Sequence, residues 1–138
     1  MITLTINDSE VSVEPETTII SAAEKAGIVI PHYCWHPALS IAGSCRLCLV
    51  EIEGAPKDVI ACGTPVTEGM VVRTESEKVK RDREIILEFL LLNHPLDCPV
   101  CDKAGNANYR IIPLSTVRVA AGSKRKNGCR HSKISVRI

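Results

Sequence analysis

A chain of 138 residues can bury a core of its own, so it needs no disulfide staple to fold. With 45% hydrophobic residues, only 3% aromatics and a formal charge of +1, it describes a globular protein with an aliphatic core and excludes a disordered polyelectrolyte. The average hides a split at Asp102: residues 1–102 hold all 16 acidic side chains against eight basic ones, net −8, and the remainder holds nine basic side chains and no acidic one, net +9.

Ile2, Leu4 and Ile6 alternate with threonines, Asn7-Asp8 supplies a turn, and Val11 and Val13 resume the alternation, which predicts a β-hairpin. Pro15 ends it. Thr17 or Thr18 is placed to cap a helix through Ile19, Ile20, Ala23 and Ala26, with Gly27 as its left-handed stop. Ile28 to Ile30 reads as a short strand, and residues 31–44 have loop chemistry without periodicity. Leu49 to Ile52, Val59 to Cys62 and Met70 to Arg73 read as further strands. Thr74-Glu75-Ser76-Glu77 is a capping-box pattern opening a helix to Leu92. That helix places Val79, Ile86, Phe89 and Leu90 on one side and Lys78, Arg81, Asp82 and Arg83 elsewhere. Asn93-His94-Pro95 ends it, because the residue before a proline is pushed out of the helical region. A hairpin, a crossing helix and more strands make an α+β roll.

The N-terminus has no basic segment followed by a long apolar run, so it is not read as a signal peptide, and a reducing compartment is expected. Seven cysteines in such a compartment are ligands more readily than disulfides, as the odd count also argues. The run Ile85 to Leu92, interrupted by Glu88, is too short to span a bilayer, so no direct membrane insertion is expected.

Cys34, Cys45, Cys48 and Cys62 carry the chemistry. A two-iron cluster needs four thiolates converging on a small inorganic core; a C-x2-C places two on one tight loop, and the outer two close the cage. The spacing predicts a 2Fe-2S site, longer than the C-x4-C-x2-C of plant ferredoxins. Gly43 and Ser44 let the backbone approach the inorganic sulfides, and Arg46 adds positive charge between two ligands. No acid, base or nucleophile is needed for one-electron transfer, and none is evident there. His32 and His36 flank Cys34 and read as loop histidines with solvent or backbone partners.

A second set, His94-x3-Cys98-x2-Cys101, provides three ligands of a 4Fe-4S type site and lacks a fourth. Cys129 is the one spare thiol and lies among Lys126, Arg130 and His131. A zinc-binding structural module that joins Cys45 and Cys48 to Cys98 and Cys101 is the competing reading; it strands Cys34 and Cys62.

The segments IPHYCWHPALSIAGSCRLCLVEIEGAPK, IACGTPVTEGM and EFLLLNHPLDCPVCDKAG resemble the N-terminal region of the large iron-sulfur subunit of NADH:quinone oxidoreductase, respiratory complex I, over Met1 to Gly105. The resemblance implies a β-grasp, ferredoxin-like 2Fe-2S domain over residues 1–76, ligated by Cys34, Cys45, Cys48 and Cys62. Residues 77–105 then form a helix and the start of a one-histidine, three-cysteine module that holds a 4Fe-4S cluster through His94, Cys98, Cys101 and one more cysteine. It implies a relay of single electrons from NADH, through flavin, towards quinone. The partners would be other subunits of the complex, the flavoprotein subunit above all, on the inner face of the cell membrane or the matrix side of a mitochondrion. Related N-termini occur in NAD-linked formate dehydrogenases and iron hydrogenases, and a free-standing ferredoxin is a further class to separate.

The family pattern C-x2-C-x5-C, as in CPVCDKGGEC, puts its last cysteine where this chain has Ala107. Residues 106–138 form a basic tail, expected to be disordered or aberrant; a nucleic-acid arm around Lys124 to Lys126 is the weaker reading, and no nucleic-acid partner is expected. A one-base deletion near the codon for Gly105 is the hypothesis that would account for the tail. Asn106 to Ile111 can be encoded AAT GCA AAT TAC AGG ATT, and a restored G gives GAA TGC AAA TTA CAG GAT, which reads E-C-K-L-Q-D with the missing cysteine at the position of Ala107. Sequencing of the gene tests this: a slip site or lost base is expected there, and an intact frame without one refutes it.

Overall fold

The computed structural model describes residues 1–92, 94 and 100–102. The chain divides into two units at Ile86, and the first, Met1–Ile86, lies wholly within the described residues.

The first unit is built on a mixed five-stranded sheet of order β2-β1-β5-β3-β4. Strands β1 (Ile2–Ile6) and β2 (Ser9–Val13) form the expected hairpin, with Ile6 opposite Ser9 and a two-residue turn between. Alternation sends Leu4 and Ile6 into the core, at 1% and 0% exposure. Helix α1 (Ile19–Lys25) buries Ile19, Ile20, Ala22 and Ala23, and Gly27 stops it at φ 73°. Strands β3 (Leu49–Ile52), β4 (Val59–Ile60) and β5 (Val71–Arg73) follow. β5 lies parallel to β1 and antiparallel to β3, so the strand latest in the sequence fills the middle of the sheet. Leu4, Ile6, Val50 and Val72 from the sheet and Ile19 and Ala23 from α1 share one core cluster, with Cys48 and Cys62 among its members.

Thr18 occupies the N-cap of α1 without a side-chain cap bond. The orphan amides of the first turn find carbonyls instead: Ile19 N–H donates to Thr64 O at 3.0 Å and Ile20 N–H to Ala61 O at 3.0 Å. Residues 28–30 do not form the expected strand. Ile28 N–H turns back to Ala23 O at 2.8 Å in the helix-terminating turn, and Ile30 O is taken by the His32 ring, so the segment has no ladder to join. The strand expected to reach Cys62 ends at Ile60, because Gly63 N–H and the Thr64 hydroxyl both fold back onto Ile60 O at 3.2 and 2.8 Å.

The helix after β5, α2 (Glu77–Leu91), is present, but its cap is Ser76, whose Oγ accepts Val79 N–H at 3.3 Å. Thr74 is engaged elsewhere. Asn7, at φ 55° in the hairpin turn, aims its side chain across the sheet: Oδ1 accepts Thr74 N–H at 2.9 Å, and Nδ2 donates to Thr74 Oγ1 at 3.0 Å. The expected face of α2 is also revised. Val79 is fully buried, Phe89 is exposed, and Arg83, assigned to the polar side, is buried. Two ion pairs hold the start of the helix: Lys78 with the buried carboxylate of Asp58, and Arg83 with Glu75 at 3.4 Å. Asp58 Oδ2 has no hydrogen-bond partner among the described residues, so the nearby charges of Lys78 and Arg83 offset its burial. No described helix is long and apolar enough to cross a membrane.

Asn7→Ala removes every side-chain bond to Thr74 and leaves alanine, without a local hydrogen bond, in a left-handed turn. Urea denaturation is expected to show a loss of about 2 kcal/mol. Asn7→Gly, free to keep the turn, should lose less, and equal losses would contradict the backbone part of the argument.

Candidate metal centre

All four cysteines of the first motif fall at the end of the sheet where α1, β3 and β4 begin or stop. Cys34 lies in the loop after α1, Cys45 and Cys48 on the approach to β3, and Cys62 in the turn after β4. The backbone fixes the inner pair. Ala61 N–H donates to Cys48 O at 2.9 Å, while Ala61 O accepts Ile20 N–H, so the residue before Cys62 is tied at once to Cys48 and to the first turn of α1. Cys48 and Cys62 are both 1% exposed; Cys34 and Cys45 are half-buried.

The outer pair meets through its sulfurs. The Cys34 thiol lies 3.3 Å from Cys45 Sγ, and Cys45 N–H donates to Cys34 Sγ at 3.4 Å. The backbone reaches this approach through two left-handed residues, Gly43 at φ 59° and Arg46 at φ 59°. The left-handed φ at Gly43 favours glycine, and a Cβ there would also crowd Ile60 Cδ1 at 3.2 Å. The exposed Arg46 has no such steric relief, and its strain marks a loop shaped for something other than local comfort.

Electrostatics shows that the four sulfurs share one neighbourhood. Burial, then the hydrogen bond with Cys48, then the charges of Cys48, Cys34 and Cys45 push the Cys62 thiol up from 9.0 to about 12. Burial also opposes ionisation of Cys34, but hydrogen bonds from Cys45 and Ser44 outweigh it and hold that thiol at about 7. Amide and hydroxyl donors aimed at a sulfur are the same groups that stabilise a cluster thiolate. No group of three or more His, Cys, Asp or Glu among the described residues is gathered tightly enough for a single metal ion. A two-iron core spreads its ligands more widely, and a four-sulfur donor set suits it.

His32 and His36 have backbone partners: His32 Nδ1 meets Ile30 O at 2.7 Å, and His36 Nδ1 accepts Ala38 N–H at 3.1 Å. His32 also stacks edge-on against Trp35, which packs on the core, with ring centroids 5.1 Å apart. Of the second motif, His94 and Cys101 are exposed; Cys98, Cys129 and the tail lie outside the described residues, as does the zinc pairing that needs Cys98. Sequence reasoning missed Arg83. Val79, Arg83 and Leu87 stand four apart and are all buried, so an arginine inside an i, i+4 apolar stripe was the available signal.

Residues 1–77 match the family model of a 2Fe-2S iron-sulfur cluster binding domain, and residues 83–106 match the NADH-ubiquinone oxidoreductase-G iron-sulfur binding region. The chain is 52% identical over 110 residues to an NADH-quinone oxidoreductase subunit of Rickettsia bellii, covering 80% of this chain and 16% of the relative. It is 52% identical over 107 residues to the mitochondrial NADH-ubiquinone oxidoreductase 78 kDa subunit of Neurospora crassa, covering 78% of this chain and 14% of that one. The chain thus spans only a small part of the length of these relatives. Among solved structures, an NAD+-reducing [NiFe]-hydrogenase in its H2-reduced state has a chain that matches with TM-score 0.76 at 35% identity, covering 83% of this chain and 48% of that one. With a ferredoxin-like mixed sheet, four converging thiols and this family match over 1–77, the chain belongs to the 2Fe-2S iron-sulfur cluster binding domain family and resembles the N-terminal region of the iron-sulfur subunits of NADH-quinone oxidoreductases.

Proposed function

We propose that Cys34, Cys45, Cys48 and Cys62 ligate the 2Fe-2S cluster and that the chain carries single electrons as the N-terminal module of an NADH:quinone oxidoreductase-type complex. The observation that carries this reading is the gathering of the four cysteines: Cys34 Sγ lies 3.3 Å from Cys45 Sγ, and Cys48 and Cys62, both buried, are tied together through the Ala61 amide. When bound, a two-iron cluster supplies one-electron chemistry: it takes one electron from a donor centre and gives one to an acceptor. The protein's own contribution is to hold four sulfurs together, shield two of them from water and aim donors at Cys34.

In this reading electrons come from NADH by way of the flavoprotein subunit and leave towards quinone, at the inner face of the membrane to which the complex is attached. The domain bounds proposed from the sequence are 1–76 for the 2Fe-2S domain and 77–105 for the start of the second module. His94, Cys98 and Cys101 would supply three ligands to a 4Fe-4S cluster whose fourth ligand this chain lacks. The hydrogenase likeness supports a second reading, an electron-transfer module of an NAD-linked hydrogenase or formate dehydrogenase. Neighbouring genes for quinone-site subunits favour the first; genes for a hydrogenase or formate dehydrogenase catalytic subunit favour the second.

Iron and sulfide analysis of the anaerobically reconstituted chain tests the ligand set. Two irons and two sulfides per chain are expected. Cys48→Ser should abolish or alter the visible and electron paramagnetic resonance spectra, and an unchanged spectrum would refute Cys48 as a ligand. The apo chain should show the order of thiol acidities directly. At pH 7 Cys34, at about 7, is roughly half thiolate, whereas Cys62, at about 12, stays protonated. Iodoacetamide labelling followed by peptide mapping should therefore modify Cys34 first, with equal rates as the contrary result. Because Cys62 must lose its proton to bind iron, apparent iron affinity of the apo chain should rise with pH.

A further inference from the structure

Arg83 is the one arginine among the described residues with a buried side chain, and its position follows from where β5 stops. Glu51 pairs with Arg73 and Ile52 with Val72, so continuing the antiparallel register would put residue 75 opposite Leu49. The chain has by then left the sheet for the cap of α2, and Leu49 O would face that side without a strand donor. The Arg83 guanidinium fills the place: Nη2 donates to Leu49 O at 2.7 Å and Nε to the same oxygen at 3.2 Å, while Nη1 reaches Glu75 Oε1 at 3.4 Å.

Leu49 follows Cys48 directly, so the guanidinium is anchored one peptide from an inner cluster ligand. Burial pushes the Arg83 guanidinium below its ordinary value, with Glu75 and then Cys48 and Asp58 acting in the other direction, so its charge is within electrostatic reach of the Cys48 sulfur. An arginine remains protonated under such a shift. The counter-charges offset it only in part: Glu75 lies against the guanidinium but is 58% exposed and so partly screened, and Asp58 is already paired to Lys78. A buried, permanent cation beside the cage stabilises the more negative, reduced cluster over the oxidised one.

We propose that Arg83 is a positioning and potential-setting residue for the 2Fe-2S cluster, a fixed cation pinned to the Leu49 carbonyl that raises the reduction potential of the centre beside it. The proposal rests on the ligand assignment above. It also gives α2 a part in the chemistry, since the first turns of that helix carry the cation to β3 where β5 has ended.

Redox titration followed by electron paramagnetic resonance of the reconstituted full chain tests it. Arg83→Gln should shift the midpoint to lower potential by roughly a tenfold change in the reduction equilibrium, about 59 mV for one electron. Arg83→Lys, which keeps the charge but not the fork, should recover most of the shift. An unmoved midpoint in Arg83→Gln, or equal shifts in the two variants, overturns the proposal. If neither variant holds a cluster, Glu75→Gln decides: loss of the counter-charge should raise the midpoint, and no rise overturns it. A wild-type chain without a reducible two-iron signal would instead remove the ligand assignment itself.

Discussion

Four sulfurs must be held in a space where, once ionised, they repel one another. This crowding is what the rest of the first unit is arranged to support. The thiol of Cys62 resists ionisation because burial and its three companions oppose it, whereas Cys34 is eased towards the thiolate by donors from Cys45 and Ser44. An inorganic core with positively charged irons reverses the sign of the crowding and turns a repulsive cluster of thiolates into a bound set.

The supports are mostly backbone. Ala61 is a junction: its amide holds Cys48, its carbonyl receives the first turn of α1, and Cys62 is the next residue. Because α1 donates its orphan amides to Ala61 and Thr64, the helix end is satisfied by the very turn that carries a ligand. The parallel pairing of β5 with β1 then closes the sheet, and the Asn7 to Thr74 contact ties the hairpin turn to the exit of β5. Core packing and ligand placement are therefore one cooperative structure, with Cys48 and Cys62 counted among the core residues.

Much of this was legible in the sequence. Alternation located β1 and β2, Gly27 marked the end of α1, and the cysteine spacing pointed to the 2Fe-2S domain family that residues 1–77 match. What escaped was non-local. Nothing near Ile28 to Ile30 reveals that the Ile28 amide is taken by a helix stop and the Ile30 carbonyl by a histidine ring. Thr74 fits a capping box locally, yet a residue 67 positions earlier in the chain engages it and leaves the cap to Ser76. Arg83 reads as surface charge until the register of β3 and β5 shows an unpaired carbonyl waiting for a donor. Pattern reading captures periodicity and ligand spacing; it does not capture which carbonyl lacks a partner in three dimensions.

The central claim is that these four cysteines, and not the others, form the two-iron cage. Native mass spectrometry of the anaerobically reconstituted chain, paired with alkylation and peptide mapping of the cysteines, tests it most directly. The account predicts a bound mass of two irons and two sulfides together with protection of Cys34, Cys45, Cys48 and Cys62, all of which become reactive when the metal is removed. A cluster mass with any of those four still freely alkylated, or with protection falling on Cys101 in their place, would contradict it.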